Sequence, residues 1–148
     1  MTKNETQGQQ LFMALLSNFN SGADAVISLF NEDAVIEYPY APSIGVAARQ
    51  DKEAYRKHLE GGLKNMPDLQ FSNIRVYPLQ KEGAYWAEAH GETTILSTGL
   101  LYQQDYVMYF ILKDNKFSFY REYWNPLPGM KAFGGDKGTQ EMFNTNDK

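Results

Sequence analysis

The chain has 148 residues, of which 43% are hydrophobic and 22% charged, an ordinary balance for one globular domain. Its net charge is −4 and its Lys and Arg residues do not cluster, which argues against nucleic acid as a partner, because binding to phosphates depends on basic patches. It contains no cysteine, so disulfides, thiolate metal sites and thiol nucleophiles are excluded.

The polar amino terminus and the absence of long apolar runs predict a protein without a membrane anchor. Residues Met1–Glu5 do not form the apolar core of a secretion signal, and no run approaches the roughly 20 apolar residues of a membrane span. We therefore expect a cytoplasmic protein that does not associate with membranes. The length predicts a single domain over residues 1–148, with flexible ends at 1–4 and about 136–148.

Two helices open the chain. Apolar side chains recur at helical spacing over residues 5–20, which predicts an amphipathic helix that buries Leu11, Phe12, Leu15, Leu16 and Phe19. The pattern breaks after Asn18, and Ser21 has the spacing of an N-cap for a short second helix that buries Val26, Ile27 and Phe30. The tight turn between them predicts an αα-hairpin.

A strand and an irregular loop follow. Asp33–Tyr40 has the composition of a strand, and Pro39 places its end at a sheet edge. Residues 41–50, which include Pro42 and Gly45, predict a loop. Its small apolar residues suit a lid over a cavity, and an ordinary connection fits them equally well.

Residues 51–65 predict the third helix, with Asp51 as its N-cap. His58 lies on the apolar face of this helix, one turn before Gly62. Glycine inside a helix costs about 1 kcal/mol relative to alanine, so room for a neighbour or a ligand beside His58 would explain Gly61 and Gly62. A ligand contact and a core histidine satisfied by one hydrogen bond are equally good interpretations of His58.

The rest of the chain predicts a curled antiparallel sheet. Four long strand patterns, joined by short polar turns, cover Leu69–Pro78, Ala84–Leu96, Leu100–Leu112 and Lys116–Asn125. Because long strands twist and curl, helices followed by this meander predict an α+β fold, with three helices on one side of the sheet around a cone-shaped cavity. The Gly-rich tail from Leu127 shows no element pattern, although four apolar residues can dock, namely Met130, Ala132, Phe133 and Phe143.

The last strand contains the main candidate for chemistry. Alternation places Ser118, Tyr120, Glu122 and Trp124 on one face, and Phe117, Phe119, Arg121 and Tyr123 on the other. Glu122 thus lies between two aromatic side chains, away from Arg121. A carboxyl group held among aromatic rings is desolvated, which raises its pKa and suits it to proton transfer near neutral pH. A surface carboxylate on an exposed sheet face is the alternative.

Several tyrosines are candidates for contact with a ligand. Tyr102 and Tyr106 share one strand face with Gln104, and their hydroxyls can donate to a ligand oxygen or to backbone carbonyls in a sheet core. Tyr38, Tyr40 and Trp124 are candidates for a pocket wall, with simple packing as the alternative, and Gly62 and Tyr120 are further candidates for contact with a ligand. Asn125 is expected to order the backbone before Pro126.

Glu88, His90 and Glu92 share one face of a strand, a pattern that can bind metal. The opposite face carries Ala87, Ala89 and Gly91, small residues suited to line a cavity or to lie beneath a helix. That arrangement turns the charged face towards solvent or a second subunit. We therefore expect no metal site.

Three segments, in this order, resemble one protein family. They are His58–Leu69, Tyr85–Glu92 and Arg121–Pro126, with Thr98, Gly99 and Tyr102 between the last two. Together they resemble the SnoaL-like branch of the NTF2-like superfamily, which includes ketosteroid isomerases, polyketide cyclases and the phenazine-biosynthesis A/B proteins. The similarity spans nearly the whole chain.

The resemblance implies a curved sheet wrapped by three helices, a homodimer formed through the sheet, and an apolar pocket in the cone. Glu122 matches a glutamate that acts in the cavity of the phenazine-biosynthesis proteins, and His58 matches a histidine on their helix. Gly62 stands where that family has a polar serine, which argues for a different substrate. The Tyr/Asp/Asp set of ketosteroid isomerases has no counterpart here.

These observations predict a pocket protein that acts on a small, mostly apolar, cyclic molecule without a cofactor. Glu122 would transfer a proton beside a carbonyl or imine, in an isomerisation, cyclisation, dehydration or condensation. His58, or a tyrosine such as Tyr102, would hold the reacting oxygen. The alternative is a non-catalytic binding domain of the same fold, in which Glu122 only hydrogen-bonds the ligand. A cavity filled by Phe and Tyr side chains would indicate a third class, a structural dimer or adaptor.

Overall fold

The computed structural model describes residues 6–144, which form five α-helices and one six-stranded sheet. The helices are α1 (Gln7–Asn18), α2 (Ala23–Ile27), α3 (Lys52–Leu63), α4 (Pro126–Phe133) and α5 (Gly135–Asn144). The strands are β1 (Phe30–Glu37), β2 (Arg49–Asp51), β3 (Gln70–Pro78), β4 (Ala84–Thr94), β5 (Leu101–Lys113) and β6 (Lys116–Tyr123). None of the helices in this range is long and apolar enough to cross a membrane.

The sheet has the order β2–β1–β6–β5–β4–β3. Strands β3 to β6 pair with their chain neighbours in antiparallel register, which confirms the predicted meander. Strand β1 pairs in parallel with β6 and in antiparallel register with the short strand β2. Because β1 ends at Glu37 and has a partner on each side, Pro39 follows an interior strand, and its predicted place at a sheet edge is wrong.

The observed starts of helices α3 and α2 agree with the sequence pattern to different degrees. The Asp51 side chain accepts a hydrogen bond from the Ala54 amide, so the predicted N-cap of α3 is confirmed. Helix α2 has Gly22 at its N-cap position, with φ +102°, where the sequence pattern had indicated Ser21. Phe30 is fully buried as predicted, but as the first residue of β1.

A bulge near the start of β6 changes which side chains face the core. Ile111 pairs with Phe119 and Leu112 with Phe117, so Ser118 is an extra residue without a partner on β5. Phe117 and Tyr120 are both fully buried, with ring centres 5.8 Å apart. The prediction that they lie on opposite faces is therefore wrong, because strict alternation holds only after the bulge.

Most of the core lies between helices α1–α3 and the sheet face that they cover, and it includes buried residues of β1, β4, β5 and β6. A second, smaller core lies under the carboxyl-terminal helices and contains Ile95, Tyr102, Ala132, Phe133 and Met142. The sequence pattern had indicated no element after Asn125. In the structure, that residue caps α4 by accepting from the Leu127 amide, as its predicted ordering role requires.

Candidate functional site

A cavity of about 100 Å³ opens among α3, α4, α5, the turn at Ala41–Ile44 and strands β5 and β6. One water molecule needs roughly 10–15 Å³ by the same kind of measure, so a small organic molecule can fit. The wall is predominantly apolar and aromatic. Its polar side chains are Tyr38, His58, Tyr102, Tyr106 and Glu122, and within residues 6–144 no Lys or Arg lines it. Ile44 and Val46 also line it, so the 41–50 segment contributes to the wall.

Glu122 projects from β6 into this cavity, as the strand pattern predicts. The hydroxyl of Tyr120 donates a hydrogen bond of 2.8 Å to Glu122 Oε1. Within the described residues, the second carboxyl oxygen has no hydrogen-bond partner. Burial raises the pKa of Glu122 to about 7, and the hydrogen bond from Tyr120 opposes that rise. Tyr120 therefore fixes one oxygen of the carboxyl group, and the other oxygen is free to bond a ligand.

The hydroxyls around Glu122 stay protonated. Burial is the main reason why the pKa values of Tyr38, Tyr102, Tyr106 and Tyr120 lie above the ordinary value for tyrosine, and the carboxyl of Glu122 raises them further. A buried phenol that keeps its proton can donate a hydrogen bond to a ligand oxygen. The cavity therefore combines one titratable carboxyl group with neutral hydrogen-bond donors.

Gln104 determines how the Tyr102 hydroxyl is oriented. The Asn125 amide donates to Gln104 Oε1 (3.0 Å), which requires Gln104 Nε2 to be the side-chain nitrogen. Nε2 donates to the Asn125 carbonyl (2.8 Å) and to the Tyr102 hydroxyl oxygen (3.0 Å). The Tyr106 hydroxyl, at 3.5 Å, also donates to that oxygen. The proton of Tyr102 is thus available for an acceptor in the cavity. The sequence pattern placed Gln104 beside both tyrosines and did not indicate this role.

His58 lines the same cavity and packs against two rings. The Phe143 ring stacks on it with centres 4.8 Å apart and an angle of 7°, and the centre of the Tyr38 ring lies 5.3 Å from that of the imidazole at an angle of 37°. Burial lowers the pKa of His58 to about 4, so the imidazole is neutral at physiological pH. No hydrogen bond or ion pair joins His58 to Glu122 within residues 6–144. The fold brings the two residues to one cavity without direct pairing.

The remaining candidates differ in position. Tyr38, Tyr102, Tyr106, Trp124 and Gly62 line the cavity, and their contact with a ligand stays a prediction. Tyr120 is fully buried, and its hydroxyl holds the Glu122 carboxyl by a hydrogen bond. Tyr40 is wrongly predicted as pocket wall. It is 51% exposed and packs against Tyr123, because the chain leaves the sheet at Glu37 and alternation no longer determines its direction.

The charged cluster on β4 faces away from the cavity, as expected. Ala87 and Ala89, on the other face, are buried. His90 makes hydrogen bonds of 2.7 Å to both Glu92 and Asp105, and these two carboxylates raise its pKa. Glu88 pairs instead with Arg75, at 2.9 Å. The cluster that forms is therefore His90, Glu92 and Asp105, and the cross-strand partner was not evident from the sequence.

Comparison with known proteins gives a consistent result. Residues 11–120 match the family model described as a SnoaL-like domain. The uncharacterised protein YesE of Bacillus subtilis is 33% identical over 107 residues, which cover 72% of this chain and 73% of that protein. An uncharacterised PhzA/B-like protein of Pseudomonas aeruginosa is 27% identical over 116 residues, covering 78% of this chain and 82% of that protein.

Among solved structures, a proposed isomerase from Bacillus subtilis is similar, with a TM-score of 0.80 and 29% identity. The match covers 87% of this chain and 94% of that one.

Proposed function

The chain belongs to the SnoaL-like domain family, within the NTF2-like superfamily, and we propose that its cavity performs acid/base chemistry without a cofactor on a small, mostly apolar, cyclic molecule. One observation carries this proposal. The Glu122 carboxyl lines an apolar cavity and is held on one oxygen by Tyr120, while its other oxygen has no hydrogen-bond partner within the described residues.

The protonation behaviour of Glu122 suits proton transfer in both directions. With a pKa of about 7, the group is present in both charge states at neutral pH. A carboxylate in this range can remove a proton from a substrate and then return it elsewhere, and such groups are most effective when their pKa lies near the working pH. An exposed glutamate would be almost fully ionised at that pH and a poor acid.

Besides a group that moves the proton, this chemistry requires a hydrogen-bond donor for the carbonyl oxygen, and the tyrosines can provide it. Removal of a proton beside a carbonyl places negative charge on the carbonyl oxygen, and a fixed donor aimed at that oxygen lowers the barrier. The hydroxyl of Tyr102 has its oxygen bonded by Gln104 and its proton free for such an acceptor. In this mechanism Glu122 moves the proton and Tyr102 stabilises the enolate-like oxygen. Isomerisation, cyclisation and dehydration all use this pair of roles.

His58 has a more limited role than a protonated histidine would have. Because its pKa is lowered to about 4, it does not act as an imidazolium at neutral pH. Its neutral ring packs beside Tyr38 and lines the cavity. We assign it to substrate placement.

The charge of the cavity indicates the charge of the substrate. No cationic side chain lines the described cavity wall, and the wall carries one carboxyl group. An anionic ligand would be repelled by ionised Glu122, and no cationic side chain of the described wall would compensate for its desolvation. A neutral ketone or a related uncharged ring compound meets both conditions. The isomerase activity proposed for the similar Bacillus subtilis protein belongs to the same reaction class.

Binding without turnover is the second candidate function, and one observation favours it. Within residues 6–144, Glu122 is the only cavity carboxyl group, and His58 cannot supply a second acid near neutral pH. In that case Glu122 would only accept or donate a hydrogen bond to a bound molecule. The experiment below separates the two functions.

The test is hydrogen–deuterium exchange of ketones in heavy water, followed by NMR. Cyclohexanone and 2-tetralone would be incubated with the protein, with Glu122→Gln and with Glu88→Gln, whose carboxylate lies on the outer sheet face paired with Arg75. We expect the protein and Glu88→Gln to accelerate exchange beside the carbonyl and Glu122→Gln to lose that acceleration. Equal binding of both ketones to all three proteins, with no acceleration by any, would support the binding function.

We also propose that two copies of the chain pair through the outer face of the sheet, as the family resemblance implies. The side chains there include Tyr77, which is 48% exposed, and Tyr109 and Phe119, whose rings lie 5.9 Å apart. Analytical ultracentrifugation would test the pairing, with Tyr77→Lys expected to weaken it. A single-domain organisation and a cytoplasmic location stay predictions.

A further inference from the structure

The carboxyl-terminal helix α5 brings one ring to the end of the cavity. Phe143 stacks face to face on His58, and its ring lies at 72° to that of Phe133 of α4, with ring centres 5.6 Å apart. Both phenylalanines line the cavity. Helix α5 is therefore part of the cavity wall, although it lies outside the stretch that matches the family model, residues 11–120.

Gly62 makes this position of Phe143 possible. A Cβ atom added to Gly62 would lie 3.1 Å from Phe143 Cε1 and 3.9 Å from Met66 Cε. The first distance is shorter than ordinary carbon–carbon contact, so a side chain at residue 62 would require the ring to shift by a few tenths of an ångström. The glycine that looked costly within α3 is explained by a neighbour from another helix.

We propose that Phe143 is a specificity-determining residue: seated on Gly62 and His58, it closes one end of the cavity and limits the ligand there to a small, uncharged group. The inference deepens the proposed function, because it concerns the ligand of the same cavity. It differs from that proposal in its residues, since neither Phe143 nor Gly62 takes part in proton transfer.

The surroundings of His58 explain the preference for an uncharged group. The Tyr38 ring packs against the imidazole, and its hydroxyl stays protonated. The other titratable groups of the described cavity wall are Tyr102, Tyr106 and Glu122, and none of them makes a hydrogen bond to His58 within residues 6–144. The Phe143 ring covers a face of the imidazole and adds to its burial, which keeps His58 neutral. An anionic ligand group placed beside these rings would lose its hydration and would meet no cationic side chain of the described wall.

The first test is an NMR pH titration of the two histidines in the unchanged protein and in Phe143→Ala. The His58 pKa should rise from about 4 towards the ordinary value of 6.5 when the covering ring is removed. His90, on the outer sheet face, is an internal control whose titration should not change. Phe143→Leu keeps an apolar side chain on α5 and should give a smaller rise.

The second test measures ligand size with two neutral ketones, cyclohexanone and 2-tetralone, by isothermal titration calorimetry. Removal of the Phe143 ring leaves space for a second ring in the ligand. Phe143→Ala should therefore raise the preference for 2-tetralone over cyclohexanone by about tenfold relative to the unchanged protein. Leu127→Ala, at a side chain that is 74% exposed, is the matched surface control and should leave the preference unchanged.

A third variant tests the contact without removing the ring. Alanine is the better helix former, so Gly62→Ala should raise the melting temperature unless the new methyl group clashes. We expect no rise when Phe143 is present and a clear rise in the Phe143→Ala background. This interaction can be measured even if one variant binds no ketone.

The proposal is overturned if folded Phe143→Ala and Phe143→Leu keep the His58 pKa at about 4 and rank the two ketones as the unchanged protein does. A rise in melting temperature for Gly62→Ala with Phe143 in place would also contradict it. None of these measurements needs turnover. Failure of the Glu122 chemistry would leave them unchanged, so the two proposals fail separately.

Discussion

The hydroxyl of Tyr120 donates to Glu122 Oε1 at 2.8 Å, two residues along the same strand. Tyr120 is fully buried in the core, and Glu122 faces the cavity. A side chain of the rigid sheet thus orients the proposed proton-transfer group and moderates its pKa. The predictions below depend on this pair and on the groups around it.

Glu122→Gln should abolish ketone proton exchange while keeping the fold. Because burial raises the pKa of Glu122 from 4.5 to about 7, its ionisation destabilises the folded state progressively as pH rises between these values. The cost is absent below pH 4.5 and complete above pH 7, where it reaches about 3 kcal/mol at most. The neutral variant should therefore match the parent at pH 4 and be more stable at pH 8, as chemical denaturation would show. Lower stability at pH 8 would contradict the proposed burial.

Tyr120→Phe should move the pH dependence of activity upwards. The Tyr120 hydrogen bond lowers the pKa of Glu122, so its removal should raise that pKa further above 7. If Glu122 acts as a base, the rising limb of kcat/KM against pH should shift to higher pH by the same amount. Tyr40→Phe, which changes a half-exposed tyrosine outside the cavity, is the control and should not move the profile. A shift to lower pH in Tyr120→Phe would be incompatible with this assignment.

Gln104→Leu should reduce turnover more than ketone binding. The variant releases the Tyr102 hydroxyl and leaves the Asn125 amide without its side-chain acceptor, which costs about 1–3 kcal/mol of stability. Because Gln104 acts through Tyr102, the effects of Gln104→Leu and Tyr102→Phe on kcat should not add in the double variant. Fully additive effects would show that Gln104 contributes only to stability. Rescue of kcat by Gln104→Asn would indicate that an amide donor still reaches the hydroxyl.

The two histidines should titrate far apart. Burial lowers the pKa of His58 to about 4, whereas hydrogen bonds to Asp105 and Glu92 raise the pKa of His90 above 6.5. His90 should therefore stabilise the fold fully below pH 6.5, and this contribution should disappear as pH rises through its folded-state pKa. NMR would resolve the two titrations, with His90→Gln used to assign them. Overlapping titrations near pH 6.5 would contradict both positions.

Much of the fold followed from local patterns. The amphipathic helices, the Asp51 cap and the antiparallel meander depend on side-chain periodicity and short polar turns, which act over a few residues. The face of β6 on which Glu122 lies was predicted in the same way, because side-chain alternation is regular from Tyr120 onwards. The same rule misplaced Phe117, since one extra residue in β6 reverses the direction of every side chain before it.

The carboxyl-terminal helices show why the rest could not be predicted. Residues of α5 include Gly135, Gly138 and several polar side chains, so their intrinsic preference for a helix is weak. The helix is stabilised by burial of Met142 and by the contacts of Phe143 with α3. Helix α3 precedes Phe143 by more than 70 residues along the chain. No local pattern reports such contacts.

The sequence by itself determined the α+β class, the antiparallel meander of the last four strands and the strand that carries Glu122, because these depend on the alternation of nearby side chains. Only the tertiary structure decided that Tyr120 holds Glu122, that Gln104 orients Tyr102, and that Phe143 occupies the space beside Gly62. Tyr120 and Glu122, like Tyr102 and Gln104, are two residues apart on one strand, and Gln104 is fixed in turn by the Asn125 backbone, whereas Phe143 and Gly62 belong to different helices. The direction of a side chain follows from its own strand or helix, whereas its partner depends on how the whole chain packs.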